Sequence, residues 1–274
     1  MAHLAHMAGS LFLVAITWCG AMGASAHAPE LSPPAEFLTG EALRDQAAAV
    51  GSMTKPKNGD PQRLALLTPR GMEHSPRTTA PSEPFDGDLS IAPVGDLLAK
   101  WTELQSRILS EQETLVACQS DRDNCPLAAR RFMAIIELGR QRQGRAQVGE
   151  INRAVNLSIR PVSDWDLYGV EDFWSAPLAT FSIGAGDCED YAIAKYVAFR
   201  ESGIAPDDLR LVILYDLRRN INHAVVAVRE DQEWLILDNR TLTIVNAEEA
   251  RHFEPLFVLD HHGVRAFGTM AFRP

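Results

Sequence analysis

The sequence predicts an α+β fold in which helices come first and an antiparallel sheet follows. Two observations predict it. Upstream of about residue 203, apolar residues recur at helical spacing in several segments. From residue 209 onward the chain breaks into short runs rich in Val, Ile, Leu and Phe, separated by polar turns.

The first helix is read in VGDLLAKWTELQSRILSEQETLVAC, where Leu97, Trp101, Leu104, Ile108 and Leu115 form one apolar stripe. CPLAARRFMAIIELGRQR starts a second, with Pro126 in the first turn, where its missing N–H does no harm. VGEINRAVNLSIR gives a shorter third, with Val148, Ile151, Val155 and Ile159 on one side. GAGD then reads as a glycine loop opening a fourth helix, CEDYAIAKYVAFRESG. Asp187 is placed to cap it, Asp190 sits where a capping box puts a carboxylate, and Gly203 closes it. Three strand runs follow: LRLVILYDLR, HAVVAVRE and EWLILDNRT, the last two parted by a polar turn around Glu230 to Gln232. PLFVLDHHGVRAFG adds one or two more, and no internal repeat is visible.

Of 274 residues, 46% are hydrophobic, enough for a real core, and 26 basic against 36 acidic residues leave a net charge of −10. That balance argues against nucleic acid as the main partner and suits a soluble or cation-binding protein. The N-terminus has an apolar stretch from Leu11 to Trp18 and then Ala24-Ser25-Ala26, a signal-peptidase pattern that predicts export with residues 1–26 removed near Ala26. No Lys or Arg precedes Arg44, so the usual basic leader is missing, and retention as an anchor is the alternative. Ten of the sixteen prolines lie between Pro29 and Pro93, so residues 27–90 are expected to be a disordered linker and residues 91–274 the folded domain.

With Cys19 lost in the signal, Cys118, Cys125 and Cys188 remain. In an oxidising compartment Cys118 and Cys125, in CQSDRDNCP, are the obvious disulfide. A metal site is the less favoured reading of that pair, because no His or further Cys is close by. Cys188 is then the odd thiol.

Cys188 falls on the first turn of a predicted helix, where unpaired N–H groups and the macrodipole favour a thiolate. A nucleophilic thiol also needs a base and a group to orient it. Of His223, His252, His261 and His262, only His223 begins a strand soon after the Cys188 helix, and Asp238 ends the next strand. A hairpin turning between Glu230 and Asp231 would set His223 directly opposite Asp238 on one face. Taken singly, each residue has a plainer reading: a packing cysteine, a solvated strand tip, a turn-forming Asp. Their joint placement favours chemistry. Asp187, Glu189 and Asp190 around the thiol would raise its pKa by like-charge repulsion, and a bound hard cation would cancel that charge. Calcium fits oxygen ligands better than zinc does, although DRDNCPLAARRF is no EF-hand loop.

These residues resemble a known family. DWDLYGVEDFWSAPLATFSIGAGDCEDYAIAKYVAF, followed by NHAVVAVR and LILDN, with CQSDRDNCP and INRAVN upstream, is similar to the bacterial transglutaminase-like cysteine proteinases of the LapG type, over about residues 95 to 260. GDCEDYAIAKY is the specific motif. The resemblance implies a papain-like, transglutaminase-type core and a Cys-His-Asp triad at Cys188, His223 and Asp238. It also implies a calcium site at Asp187 and Glu189 with Asp190 as a third, and a periplasmic cysteine endopeptidase. Its implied partners are a large surface adhesin, cut near its N-terminal retention module at a pair of small residues to release biofilm cells, and an inner-membrane cyclic-di-GMP receptor. The Cys188 backbone N–H and Trp174 are the expected oxyanion donors. A transglutaminase using the same triad, or a calcium-dependent binding protein with an idle triad, are the rival functions.

Overall fold

A computed structural model describes residues 82–91 and 95–268 of the chain. The expected signal segment and nearly all of the Pro-rich linker lie outside the described residues. The elements are β1 (Leu89–Ile91), α1 (Asp96–Ser120), α2 (Leu127–Arg140), α3 (Gly144–Ser158), β2 (Arg160–Pro161), α4 (Asp164–Tyr168), α5 (Pro177–Ile183), β3 (Ala185–Gly186), α6 (Cys188–Glu201), β4 (Leu209–Asp216), β5 (Ile221–Glu230), β6 (Glu233–Leu237), β7 (Val245–Asn246), β8 (Phe253–Asp260) and β9 (Gly263–Phe267). The fold is α+β, helices before sheet.

The stripes read from sequence are the buried faces. Trp101, Leu104, Ile108 and Leu115 of α1 and Val148, Ile151 and Val155 of α3 all lie in one apolar core. Each such side chain contributes about 1.5–3 kcal/mol through the water it no longer orders. The turn from α1 to α2 is tied by a Cys118–Cys125 disulfide, and Cys188 keeps its thiol outside any disulfide. Two short helices were not legible: α4, whose N-cap Ser163 hydroxyl accepts from Asp166 N–H, and α5, begun by Pro177 and ended by Gly184 at φ 70°.

Seven strands form a fully antiparallel sheet in the order β1-β9-β8-β4-β5-β6-β7. Period-2 alternation splits its side chains between two cores. Leu211, Ile213, Ala224, Val226, Val228, Leu235 and Leu237 join the helices, while Val212, Leu214, Val225, Ala227, Trp234 and Ile236 pack on the other face with Phe85, Phe253 and Phe267. Burial on both faces explains why β4 reads as an unbroken apolar run. The final apolar run forms both β8 and β9. Glu83, upstream of residue 91, already pairs with Arg210 and Arg265, and β1 adds to β9. Among the described residues no helix is long and apolar enough to cross a membrane.

α6 is the exception to amphipathic patterning, because every residue from Cys188 to Phe199 is buried. It sits in the middle, packed by α2, α3 and α5 on one side and by β4 and β5 on the other. A helix this enclosed has little freedom to move its first residue.

Candidate active site

The segment before Cys188 is held as a short strand, not a loose glycine loop. β3 pairs in parallel with β2, with Arg160 N–H donating to Gly184 O and Val162 N–H to Gly186 O, both at 3.0 Å. Gly186 is required here: a Cβ on it would lie 2.4 Å from Asp190 Oδ2 and 2.7 Å from Asp190 Cβ. This strand delivers the chain to Asp187, the N-cap of α6, and Cys188 is the first helical residue, 1% exposed.

Capping takes a different form from the sequence expectation. Asp187 occupies the N-cap position but its side chain makes no capping hydrogen bond. Asp190 accepts from the backbone N–H of Ser175 at 2.9 Å and also interacts with the Asp187 N–H. The carboxylate of Asp187 instead meets those of Glu189 and Asp164, with one oxygen from each within 4.8 Å of the others and all three residues buried. Of the expected metal ligands Asp187, Glu189 and Asp190, the structure therefore groups the first two, and brings in Asp164 where Asp190 was expected. Asp190 faces the 173–175 segment. Asp164 had no sequence signal beyond its place in DWDLYG, because only folding of α4 against α6 brings it near.

The electrostatics of this cluster are unfavourable as they stand. Burial raises the Asp164 carboxyl to about 6, with Asp172 adding to the effect. Burial, reinforced by the charge of Asp187, raises Asp190 to about 8. Burial also pushes Glu189 up, despite hydrogen bonds from Asp187 and Cys188 that act the other way. The Cys188 thiol donates to Glu189 Oε2 at 3.0 Å. Oε1 of Glu189 and Oδ1 of Asp164 are buried without a hydrogen-bond partner. Crowded, buried carboxylates with spare lone pairs suit a hard cation such as calcium, which takes oxygen ligands and supplies the missing positive charge.

His223 and Asp238 meet as a buried pair, Nε2 to Oδ1 at 2.9 Å. Their register differs from the sequence expectation. The observed pairs Val226–Leu237 and Glu230–Glu233 put the turn at Asp231 and Gln232, both at positive φ, one residue later than the hairpin centred on Glu230 and Asp231. Asp238 lies just past the end of β6 and meets His223 diagonally, not straight across. A shift of two in the pairing sum keeps both on one face, so the contact survives.

Asp238 is fixed from several sides. Its Oδ1 also accepts from Arg240 N–H at 2.9 Å, and Asn156 Nδ2 of α3 donates to the carbonyls of Asp238 and Thr241 at 3.0 Å each. Burial alone would raise its pKa, but the hydrogen bond and charge of His223 and the Arg240 N–H hold it down to about 2. The Arg240 guanidinium reaches Asp216 at 2.7 Å, whose other oxygen caps the β4–β5 turn at Arg218 N–H, 3.0 Å away. Behind the pair, Lys195 of α6 is fully buried and donates to Leu237 O at 3.4 Å. Burial pulls its ammonium down to about 7, with Asp238 opposing. Sequence reading missed Lys195, although it stands two turns from Cys188 on the same helix face.

Trp174 is fully buried, with Lys100 Nζ 5.0 Å from its ring centre. Its neighbours Phe173 and Ser175 donate backbone N–H groups to Asp164 and Asp190 respectively. The other histidines among the described residues lie apart: His252 against Phe253, and His261 and His262 at Asp207. A cavity of about 590 Å³ opens beside Phe85, Trp234 and Phe253, and none of Cys188, His223 and Asp238 lines it.

Comparison with known proteins identifies the family. No curated protein matches the chain. Among solved structures it is similar to LapG of Legionella pneumophila, with 24% identity over 57% of this chain and 86% of that one and a TM-score of 0.47. A calcium-bound form of the same protein gives 22% identity, 64% and 93% coverage and a TM-score of 0.46. A putative cysteine protease from Cytophaga hutchinsonii gives 17% identity, 52% and 54% coverage and a TM-score of 0.32. The sequence profile of the bacterial transglutaminase-like cysteine proteinases matches residues 113–253, more than half of the chain and a span that contains Cys188, His223 and Asp238. The chain belongs to that family of cysteine peptidases.

Proposed function

We propose that the chain is a calcium-dependent cysteine endopeptidase whose triad is Cys188, His223 and Asp238. The observation that carries this is the buried His223–Asp238 hydrogen bond on β5 and just past β6, with Cys188 starting a helix that packs against β5. Nε2 of His223 is turned to Asp238, so Nδ1 is the nitrogen that takes the thiol proton. The Cys188 sulfur then attacks a peptide carbonyl, and the oxyanion is met by the Cys188 backbone N–H, at the first helical position where N–H groups point out of the helix start, and by a second donor near Trp174. His223 returns the proton to the leaving amine, and water releases the thioester. Asp238 stays ionised throughout and holds the ring.

Calcium is supported by the chemistry of Asp164, Asp187 and Glu189, which would hold it. When bound, the ion supplies positive charge beside the α6 N-terminus. Glu189, which now accepts the thiol proton's hydrogen bond, would have its oxygens engaged elsewhere. The sequence resemblance supports the remaining detail: export to the periplasm, a large surface adhesin cut near its N-terminus, and control of biofilm attachment through an inner-membrane cyclic-di-GMP receptor.

The test is alkylation of Cys188 by iodoacetamide across pH, with calcium and with EGTA, beside cleavage of an adhesin retention-module fragment. Labelling well below the ordinary thiol value of about 8.5, only with calcium, and loss of cleavage in Cys188→Ala with its melting temperature unchanged, are expected. Cleavage by Cys188→Ala would overturn the nucleophile.

A further inference from the structure

Asp207, His261 and His262 form a second cluster of metal-ligating groups that the proposed chemistry does not use. It lies at the start of β4, while Leu214, the partner of His223, is five residues further along. At about 3.4 Å per residue, the two sites stand roughly 17 Å apart along that strand. The two histidines fill the loop between the paired residues Asp260 and Gly263 of the β8–β9 hairpin. Two-residue hairpin loops favour Asn, Asp and Gly for backbone reasons. Here Gly263 takes the positive φ, at 109°, so neither imidazole serves the turn's backbone. Asp260 Oδ1 accepts from His262 N–H at 2.8 Å and fixes the loop.

Both rings point the same way. Their centroids are 3.8 Å apart, and Oδ1 of Asp207 lies 3.2 Å from Nε2 of His261 and 3.6 Å from Nε2 of His262. A tetrahedral ion with ligand bonds of about 2.0–2.1 Å holds adjacent ligand atoms about 3.3–3.4 Å apart. The observed edges bracket that value, and all three ligand atoms lie within 4.8 Å of one another. The residues are exposed, so a fourth position is open to water.

We propose that Asp207, His261 and His262 bind a divalent transition ion of the zinc type, separate from the carboxylate cluster at Cys188. Two imidazoles and one carboxylate suit a borderline ion and not calcium, which prefers six or more oxygens. The ion cross-links the β8–β9 turn to the 3-10 turn that leads into β4, and so clamps the end of the sheet remote from the nucleophile. The competing explanation is a plain ion pair between Asp207 and protonated imidazoles, which needs no metal and contributes little at an exposed site.

The test is zinc titration of the tag-free full chain by calorimetry at neutral pH, in excess calcium, with the melting temperature read in parallel. One zinc per chain is expected, with a rise in melting temperature. Affinity should fall by at least roughly tenfold in Asp207→Asn, and further in His261→Ala/His262→Ala, since even outer-sphere changes cost about that much. Cys188→Ala should bind as the wild type does, which separates this site from the nucleophile and from the reading of its function. Zinc binding that persists in His261→Ala/His262→Ala, that disappears in Cys188→Ala, or that is absent from the folded wild type would overturn the proposal.

Discussion

Lys195 shows how much one buried charge decides around the proposed triad. Its ammonium has Leu237 O as an acceptor and the Asp238 carboxylate as its attractive charge, in a site closed to water. Because its folded value, about 7, is below that of a free lysine, the unfolded chain holds more protons between about pH 7 and 10. Stability attributable to this residue therefore rises with pH over that window, and the ammonium is a cost below it. Lys195→Met is expected to stabilise the protein by about 1–3 kcal/mol near pH 6, with the gain shrinking as pH rises, as followed by urea unfolding. The same variant should lower kcat, since the strand end carrying Asp238 loses a support. Unchanged stability across pH would mean that the ammonium is better solvated than its burial indicates.

At the scale of elements, the junction of β3 and α6 sets the position of Cys188, the proposed nucleophile. Gly186 passes so close to Asp190 that a methyl group has no room, and the neighbouring atoms belong to the first turn of the helix that carries Cys188. Gly186→Ala is expected to destabilise by about 1–3 kcal/mol, measured by thermal unfolding, and to lower turnover far more than that loss explains, because the strain is released into the first turn of α6. An Ala at Gly184, where nothing lies within 4 Å of an added Cβ, tests φ alone and should leave the Asp190 contact intact. The β5–β6 hairpin is more tolerant. Its contact between His223 and Asp238 is diagonal, fixed by Arg240 and Asn156 as much as by the ladder.

Across the whole molecule, buried carboxylates should dominate the pH response. Asp164 and Asp190 titrate at about 6 and about 8 when folded, against about 3.9 when unfolded. The folded chain then holds more protons than the unfolded chain between about pH 4 and 8, so these groups make stability fall as pH rises through that window. Calcium at Asp164, Asp187 and Glu189 would reverse the sign, because it binds the ionised form. Urea midpoints should fall from pH 5 to pH 8 in EGTA and rise over the same range in calcium. Parallel curves in the two conditions would count against a cation in this cluster. Asp238 acts in the opposite sense: held at about 2, it lends stability above pH 4 that is lost as pH falls toward 2.

The sequence by itself determined the class of fold, the long helices and the strand runs, and it singled out Cys188, His223 and Asp238 as candidates, because these are written in periodicity, in helix-start chemistry and in the GDCEDYAIAKY motif. Short elements stayed hidden: α4, α5, β2 and β3 are too brief for a period to show, and they exist because tertiary contacts hold them. Which acids meet beside the thiol was decided only by folding. Asp190 has the right spacing for the cluster yet turns to Ser175, whereas Asp164, 24 positions before Cys188, arrives by the packing of α4 and the 173–175 segment against the start of α6. Spacing along a chain fixes which side of a helix a residue takes, but contacts between elements far apart in sequence depend on how whole surfaces pack. The Asp207–His261–His262 cluster and the burial of Lys195 are of that second kind.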